Sequence, residues 1–173
     1  MRNPRARIAW QLNLVLCVQG ASRLIELVPI VPENYAEALK LSVHPEQESL
    51  VAGIVQTLAD AYVWRESEFR LAVSEGVAVG YLLVFPFERQ GQRLVNIVRV
   101  MIDARYQGKG LGGSLLDTAI EWISGFEPRP DLLRIATLPD NAVALALYKS
   151  RGFEELGTEG GEIALYRKIG GGA

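Results

Sequence analysis

The chain has 173 residues, enough for one domain around one core, and its 49% hydrophobic and 22% charged residues are typical of a globular protein. A formal net charge of -2 gives no electrostatic reason to expect nucleic-acid binding. The single cysteine, Cys17, excludes a disulfide framework, and with the single histidine, His44, it excludes a metal centre built from several His and Cys ligands.

The first 22 residues differ from the rest of the chain. Three arginines precede an apolar run from Ile8 to Val18, which loosely resembles a secretory signal but alternates as a half-buried strand does. The run is shorter than the ~20 apolar residues that a membrane-spanning helix needs. We therefore expect an N-terminal extension over residues 1–22, forming an extra strand or a disordered segment, then a domain over 23–169 and a flexible tail over 170–173.

Periodicity and turn signals predict the elements of the domain. Its first half should hold a strand at 23–29, helices at 32–40 and 45–62, and antiparallel strands at 69–74, 77–85 and 94–102, with a turn at 86–92 before the last. Its second half should hold a helix at 108–124, a strand at 132–138, a helix capped by Asp140 and ended by Gly152, and strands at 153–157 and 162–168. This order predicts a mixed α+β and α/β fold around a mixed sheet.

The most informative stretch runs from Ile97 to Leu116, where an apolar strand passes through a glycine-rich turn into a helix. Glycines let the backbone approach a ligand closely, and a helix start presents unpaired N–H groups and the positive end of the helix dipole. The stretch therefore predicts a pyrophosphate site. The backbone N–H groups expected to form it belong to Gln107, Gly108, Lys109, Gly110, Leu111 and Gly112. The side chain of Lys109 either adds charge to this site or is a solvated loop lysine.

The same stretch matches the motifs of other ligand-binding proteins in part. The spacing of Gly108, Gly110 and Gly113 also matches the dinucleotide fingerprint G-x-G-x-x-G, with Asp140 as the acid for the ribose, so a dinucleotide-binding protein is an alternative. A Rossmann domain, however, would need several strand–helix units after the motif, and only one follows. A P-loop is excluded because Lys109 is followed by glycine. Cys17 has no evident basic partner, which disfavours an acyl-cysteine route.

Two motifs resemble the GNAT family of acetyl-CoA-dependent N-acetyltransferases. Gln107-x-x-Gly110-x-Gly112 resembles the family's pyrophosphate loop, and Asn141-x-x-Ala144-x-x-x-Tyr148, followed by Gly152-Phe153, resembles its closing helix and strand. The polyamine (spermine/spermidine) acetyltransferase branch is similar in four further stretches, which are Pro45-Glu46-Gln47, 100–103, 106–110 and 147–153. The resemblance covers residues 23–169.

This resemblance implies the GNAT acyl-CoA N-acyltransferase fold, with a central mixed, mostly antiparallel sheet flanked by helices. It implies an acyltransferase that uses acetyl-CoA (coenzyme A) as cosubstrate, without a metal, and transfers acetyl directly to a primary amine of a small cationic acceptor, a polyamine. It also implies a cytoplasmic location and a homodimer, with no nucleic-acid or membrane partner.

The resemblance further assigns roles to single residues. Val100, Met101 and Ile102 would pair with the pantetheine arm, and backbone N–H groups there would stabilise the thioester oxygen as it gains charge. Asn141 would contact the cofactor or, alternatively, cap its helix. Tyr148 would be the general acid for the leaving thiolate, although core packing is the ordinary reason for a tyrosine on an apolar helix face.

The general base is the least defined role. Relatives in the polyamine branch carry an acid on the central strand where this chain has Val98. His44 and Glu46 are the substitutes, and the remaining acidic candidates are Glu33, Glu48 and, for amine recognition, Glu162. Acids at a helix start also suit the dipole without any catalytic role. The missing acid leaves a non-catalytic acyl-CoA-binding sensor or partner module as an alternative.

Overall fold

The computed structural model describes residues 24–169. The expectations for the extension at 1–22 and the tail at 170–173 lie outside the described residues. None of the helices formed within 24–169 has the length and apolar character needed to cross a bilayer.

Within these residues the chain forms seven strands and four α-helices, whose order follows the predicted one. The strands are β1 (Glu26–Val28), β2 (Glu68–Ser74), β3 (Val77–Arg89), β4 (Gln92–Ile102), β5 (Leu132–Thr137), β6 (Glu154–Glu159) and β7 (Glu162–Lys168). The helices are α1 (Pro32–Ala38), α2 (Ile54–Val63), α3 (Leu111–Ser124) and α4 (Ala142–Ser150), and short 3-10 turns lie at Pro45–Gln47 and Ala104–Tyr106.

The strands form one twisted layer in the order β1-β2-β3-β4-β5-β7-β6. Only β4 and β5 run parallel, and every other neighbouring pair is antiparallel. Helices α3 and α4 cover one face, where Leu115, Leu116 and Ile123 are fully buried. Helices α1 and α2 cover the other face around Leu71 and Tyr81. The predicted mixed, mostly antiparallel sheet flanked by helices is thereby confirmed, and a doubly wound dinucleotide-binding sheet is excluded.

Two predicted boundaries were wrong. The expected helix over 45–62 is instead a 3-10 turn at Pro45–Gln47 and a separate helix α2, which begins after Gly53 in an extended conformation (φ -63, ψ 166). The expected turn at 86–92 is mostly strand. The reversal occurs at Gln90 and Gly91, both with positive φ (54 and 76), which suits the twist of a tight hairpin. Pro86 is paired opposite Val95 within the ladder.

The end of α4 is closed by the glycine that the sequence indicates. Gly152 has φ +77, its N–H donates to the Lys149 carbonyl oxygen (3.1 Å), and the Phe153 N–H donates to the Tyr148 carbonyl oxygen (3.2 Å). These two bonds form a Schellman motif. They bring the buried Phe153 ring to 6.2 Å from the ring of Tyr148, between centroids. The position of Tyr148 is therefore set by both the helix and its cap.

Candidate active site

A cleft of about 790 Å³ opens where β4 and β5 separate. The two strands pair only from Leu94–Leu132 to Ile97–Ile135, so within residues 24–169 the edge of β4 that faces β5 has no strand partner beyond Ile97. A β-bulge lies at this point, because Leu83 faces Arg99 while Val84 faces Ile97, which leaves Val98 as an extra residue on β4. Bulges bend a strand and increase its twist, which favours the divergence.

The cleft has walls from both halves of the sequence. They are the loop at 48–52, β4 at 98–102, the start of the glycine turn, the end of β5, and α4 with the turn before it. The cleft therefore brings together eight of the predicted site residues, which are Val100, Met101, Ile102, Gln107, Gly108, Gly112, Asn141 and Tyr148. The predicted residues Lys109, Gly110, Leu111, His44 and Glu46 do not line it.

The glycine turn leaves a row of backbone donors free. Gly108 and Gly110 adopt left-handed φ values of 74 and 78, which favour glycine, and Gly110 is the N-cap residue of α3. Within residues 24–169, none of the five N–H groups from Gly108 to Gly112 donates to a protein acceptor. Consecutive free N–H groups at the start of a 14-residue helix form an anion site that can take a phosphate.

The side chain of Gln107 ties this turn to the opposite wall. Its amide nitrogen donates to the Ile102 carbonyl oxygen (2.9 Å) and to Oε1 of Gln47 (2.9 Å). Gln47 in turn donates to Oε1 of Gln107 (3.2 Å). This paired-amide contact holds the 3-10 turn at Pro45–Gln47 beside the glycine turn.

Lys109 lies on the outer side of the turn. Its Nζ donates to the Arg105 carbonyl oxygen (3.4 Å) and lies 5.4 Å from the centre of the Tyr106 ring. In this conformation its ammonium group does not face the cleft. Both a solvated and a phosphate-facing rotamer are open to a side chain this exposed.

Tyr148 is the most perturbed titratable group in the cleft. Its side chain is 8% exposed, and its hydroxyl forms no hydrogen bond with any group in residues 24–169. Burial raises the pKa of Tyr148 to about 12. The phenol is therefore protonated at neutral pH, and its O–H can donate to a ligand in the cleft.

Asn141 is the N-cap residue of α4. Its Oδ1 accepts a hydrogen bond from the Ala144 N–H (3.2 Å), so the prediction that Asp140 caps this helix was wrong. A cap oxygen must reach the N–H two or three positions into the helix, and Asn141 stands at that distance whereas Asp140 is one residue too early. The capping bond uses only Oδ1, and the residue lines the cleft at the same time.

The structure places some of the candidate charged residues in the cleft and leaves others outside it. His44 and Glu46 belong to the 3-10 turn at the rim, where the His44 backbone N–H donates to Oε1 of Gln47 (3.3 Å). The charged residues that line the cleft are the candidates Glu48 and Glu162, together with Asp140 and Arg99. The sequence interpretation did not single out Arg99. The sequence feature that could have indicated Arg99 is its position as a single charged residue inside the apolar run from Ile97 to Ile102.

A mixed sheet whose two parallel strands diverge over a cleft, beside a helix start with free N–H groups, is the framework of an acyltransferase that binds an acyl-CoA. The described residues contain no group of three or more His, Cys, Asp or Glu side chains arranged to hold a metal. The chain belongs to the acetyltransferase (GNAT) family, whose model matches residues 35–153.

Relatives of known name match part of the chain. The L-amino acid N-acetyltransferase AaaT of Escherichia coli (strain K12) is 30% identical over 88 residues, 51% of this chain and 54% of that protein. The N-alpha-acetyltransferase RimI of Mycobacterium tuberculosis is 31% identical over 86 residues, 50% of this chain and 51% of that protein. The chain thus matches about half the length of these curated relatives.

A solved structure extends the likeness in fold. A GNAT family acetyltransferase from Elizabethkingia anophelis with acetyl-CoA bound superposes with a TM-score of 0.62 at 18% identity, covering 86% of this chain and 100% of the other. At this identity the likeness shows the fold alone.

Proposed function

We propose that this protein is an acetyl-CoA-dependent N-acetyltransferase that transfers acetyl directly to a primary amine of a small cationic acceptor. One observation carries the proposal: a single cleft contains free backbone donors for a phosphate and a buried, protonated phenol. A module that only binds an acyl-CoA would need the backbone N–H donors but not the phenol. The phenol, which has no hydrogen-bond partner in residues 24–169, supplies an O–H donor that can assist departure of the thiolate from a thioester.

Acetyl-CoA would supply the activated acetyl group as a thioester. The free N–H groups from Gly108 to Gly112 would hold its pyrophosphate, and the unpaired edge of β4 at Val100, Met101 and Ile102 would pair with its pantetheine arm. Asn141 and Gln107 line the same cleft and would contact the bound cofactor. That the Elizabethkingia anophelis relative contains acetyl-CoA supports this assignment.

Tyr148 would act on the leaving sulfur. An ordinary thiol has a pKa of about 8.5, so complete proton transfer from a phenol of pKa about 12 is uphill by about 5 kcal/mol. Burial of the sulfur in the same cleft raises its own pKa and reduces this figure. We therefore propose that Tyr148 stabilises the sulfur mainly by donating a hydrogen bond as negative charge develops.

Three carboxylates against one arginine make the acceptor side attractive to a protonated amine. Glu48, Asp140 and Glu162 line the same cleft as Arg99. The polyamine acceptor suggested by the resemblance is one proposal consistent with this charge. The names of the two curated relatives add L-amino acids and α-amino groups as proposals. An alkylammonium group of pKa about 10.4 must lose a proton before it attacks, and Glu48 is better placed to accept it than Glu46 or His44 because it lines the cleft.

The experiment is release of free coenzyme A thiol from acetyl-CoA with a panel of amines, alongside calorimetric binding of coenzyme A. Turnover with at least one amine supports the enzyme. Tight binding without turnover on any amine favours the sensor module.

Gly110→Val is expected to abolish coenzyme A binding, because a β-branched residue strongly disfavours the left-handed φ of 78. Gly76→Val, at a similar φ of 77 in a hairpin remote from the cleft, is the matched control for general strain.

The resemblance alone supports two further proposals, a homodimer and a cytoplasmic location. The cleft does not depend on a dimer, because its lining residues come from one chain.

A further inference from the structure

We infer that Arg99 recognises an anionic group on the acceptor, so that the preferred substrate is a primary amine that also carries a carboxylate. The inference rests on the proposed N-acetyltransferase function and names its substrate class. It concerns the acceptor side of the cleft, where the sequence interpretation had no residue of positive charge.

The fold places Arg99 at the point where the cleft opens. It follows the bulged residue Val98, in the first part of β4 that has lost its β5 partner. Its guanidinium lies on the sheet face covered by α2, near Asp60 of that helix. The glycine turn leads into α3, which packs on the opposite face. Cofactor and acceptor would therefore approach the strand edge from opposite faces, with Arg99 on the acceptor side.

The guanidinium of Arg99 has more N–H donors than it uses in hydrogen bonds within residues 24–169. An arginine has five N–H donors, and the hydrogen bond that Arg99 forms within residues 24–169 is from Nη1 to the Val98 carbonyl oxygen (2.9 Å). The closest carboxylate oxygen, on Asp60, is 3.8 Å from Nη2, too far for a hydrogen bond. Nε is buried and has no partner in the described structure.

A carboxylate is the ligand that this arrangement fits best. Nε and Nη2 form the planar edge that binds two carboxylate oxygens in parallel. Within residues 24–169 Nε has no hydrogen-bond partner, and Nη2 has a distant ion pair with Asp60 (3.8 Å) but no hydrogen bond. A native structure rarely leaves such a donor buried and unpaired. Arg99 lines the cleft and its side chain is 26% exposed, so a ligand in the cleft can contact the exposed part of the side chain.

The surrounding charges define the rest of the acceptor. Glu48, Asp140 and Glu162 favour an ammonium group, while Arg99 favours a carboxylate. A zwitterionic amine such as an amino acid satisfies both. A polyamine brings only positive charge and would leave the guanidinium facing like charge. The structure therefore favours an amino acid over the polyamine that the sequence resemblance suggests.

Matched acceptor pairs test this inference, because each pair differs only by the carboxylate. The pairs are L-ornithine with putrescine and L-phenylalanine with 2-phenylethylamine, and L-phenylalanine amide represents a peptide-like N-terminus. For the wild-type protein we expect kcat/KM to be at least about tenfold higher for the carboxylated member of a pair, as a charge-assisted contact provides. Arg99→Gln should remove that preference mainly through KM, and Arg99→Lys should restore part of it. Arg93→Gln, an exposed arginine on the same strand outside the cleft, should leave the preference unchanged.

The same pairs are titrated calorimetrically into the protein saturated with coenzyme A, so that acceptor preference is measured without turnover. Equal binding of the two members, tighter binding of putrescine, binding of neither member, or an unchanged preference in Arg99→Gln would each overturn the role of Arg99. Absence of thiol release, with carboxylate-dependent binding retained, would instead count against the proposed transferase while leaving the anion site in place.

Discussion

Replacing Tyr148 with phenylalanine separates chemistry from stability at this cleft. The lost hydroxyl forms no hydrogen bond in residues 24–169, and the ring keeps its packing against Phe153. We therefore expect the free energy of unfolding at pH 7 to change by less than about 1 kcal/mol, since no bonded partner is orphaned. If the phenol assists departure of the thiolate by donating a hydrogen bond, kcat should fall roughly 10²- to 10³-fold, the usual cost of removing one donor to a developing negative charge.

The raised pKa of Tyr148 adds a second signature at alkaline pH. Its folded pKa of about 12 exceeds the ordinary value of 10.0, so between these pH values the unfolded chain has lost the proton that the folded chain retains. The stability linked to this group is complete below pH 10 and is lost as the pH rises toward 12. Two pKa units correspond to about 3 kcal/mol, which the wild-type protein loses over this range and Tyr148→Phe does not.

The assay is thiol release under saturating acetyl-CoA, with urea unfolding of both proteins at pH 7, 9 and above 10. Tyr62→Phe is the control, because that tyrosine is 74% exposed on α2 and remote from the cleft. An unchanged kcat in Tyr148→Phe removes the residue from the mechanism. A wild-type alkaline loss no larger than that of the variant shows that the phenol titrates normally and that the cleft is wetter than the structure indicates.

Two further substitutions test how the strand under the cofactor site is held. In Gly80→Ala the new Cβ would collide with the Met101 carbonyl, which is backbone and cannot move aside, so the free energy of unfolding should fall by at least about 2 kcal/mol, measured in urea. Gly53→Ala has open space around its Cβ and should cost at most about 1 kcal/mol, because Gly53 is the N-cap residue of α2 and alanine is a poorer cap. Equal effects of the two substitutions would contradict the reasoning. Burial alone would raise the pKa of Asp103, but hydrogen bonds from Arg105 and the Ser42 N–H outweigh it and hold the pKa below its ordinary value. The stability from this carboxylate should thus be present above about pH 4 and lost as the pH falls through its folded pKa, so the deficit of Asp103→Asn at pH 7 should shrink at pH 3, and a deficit independent of pH would refute the linkage.

Local chemistry explains why the cofactor half of the site was readable from the sequence. The glycine turn and its helix lie within one continuous stretch, and a positive φ or a free helix N-terminus depends on neighbouring residues only. The same is true of Gly152, whose role in ending α4 the structure confirms. Asn141 and Asp140 were harder to separate, because adjacent Asp and Asn side chains have nearly equal preference for the cap position.

The acceptor half depends on contacts between distant segments. The loop at 48–52 reaches the cleft because the helix expected over 45–62 is interrupted, and nothing in the local apolar spacing showed that interruption. The bulge at Val98 arises from the register of β4 against β3, and pairing register is a property of two strands together. The sequence shows only that Arg99 is a charged residue on a strand, and its position in the cleft depends on the register of β4 against β3.

The sequence by itself determined the order of elements, the glycine turn before α3, the helix that carries Tyr148 and the family, because each is encoded over a few adjacent residues. Only the tertiary structure decided where β4 leaves β5, which carboxylates face the opening, and that an arginine with unpaired donors stands beside them. Burial and charge pairing are sums over neighbours that the chain brings together from far apart, so they exist only once the fold has formed.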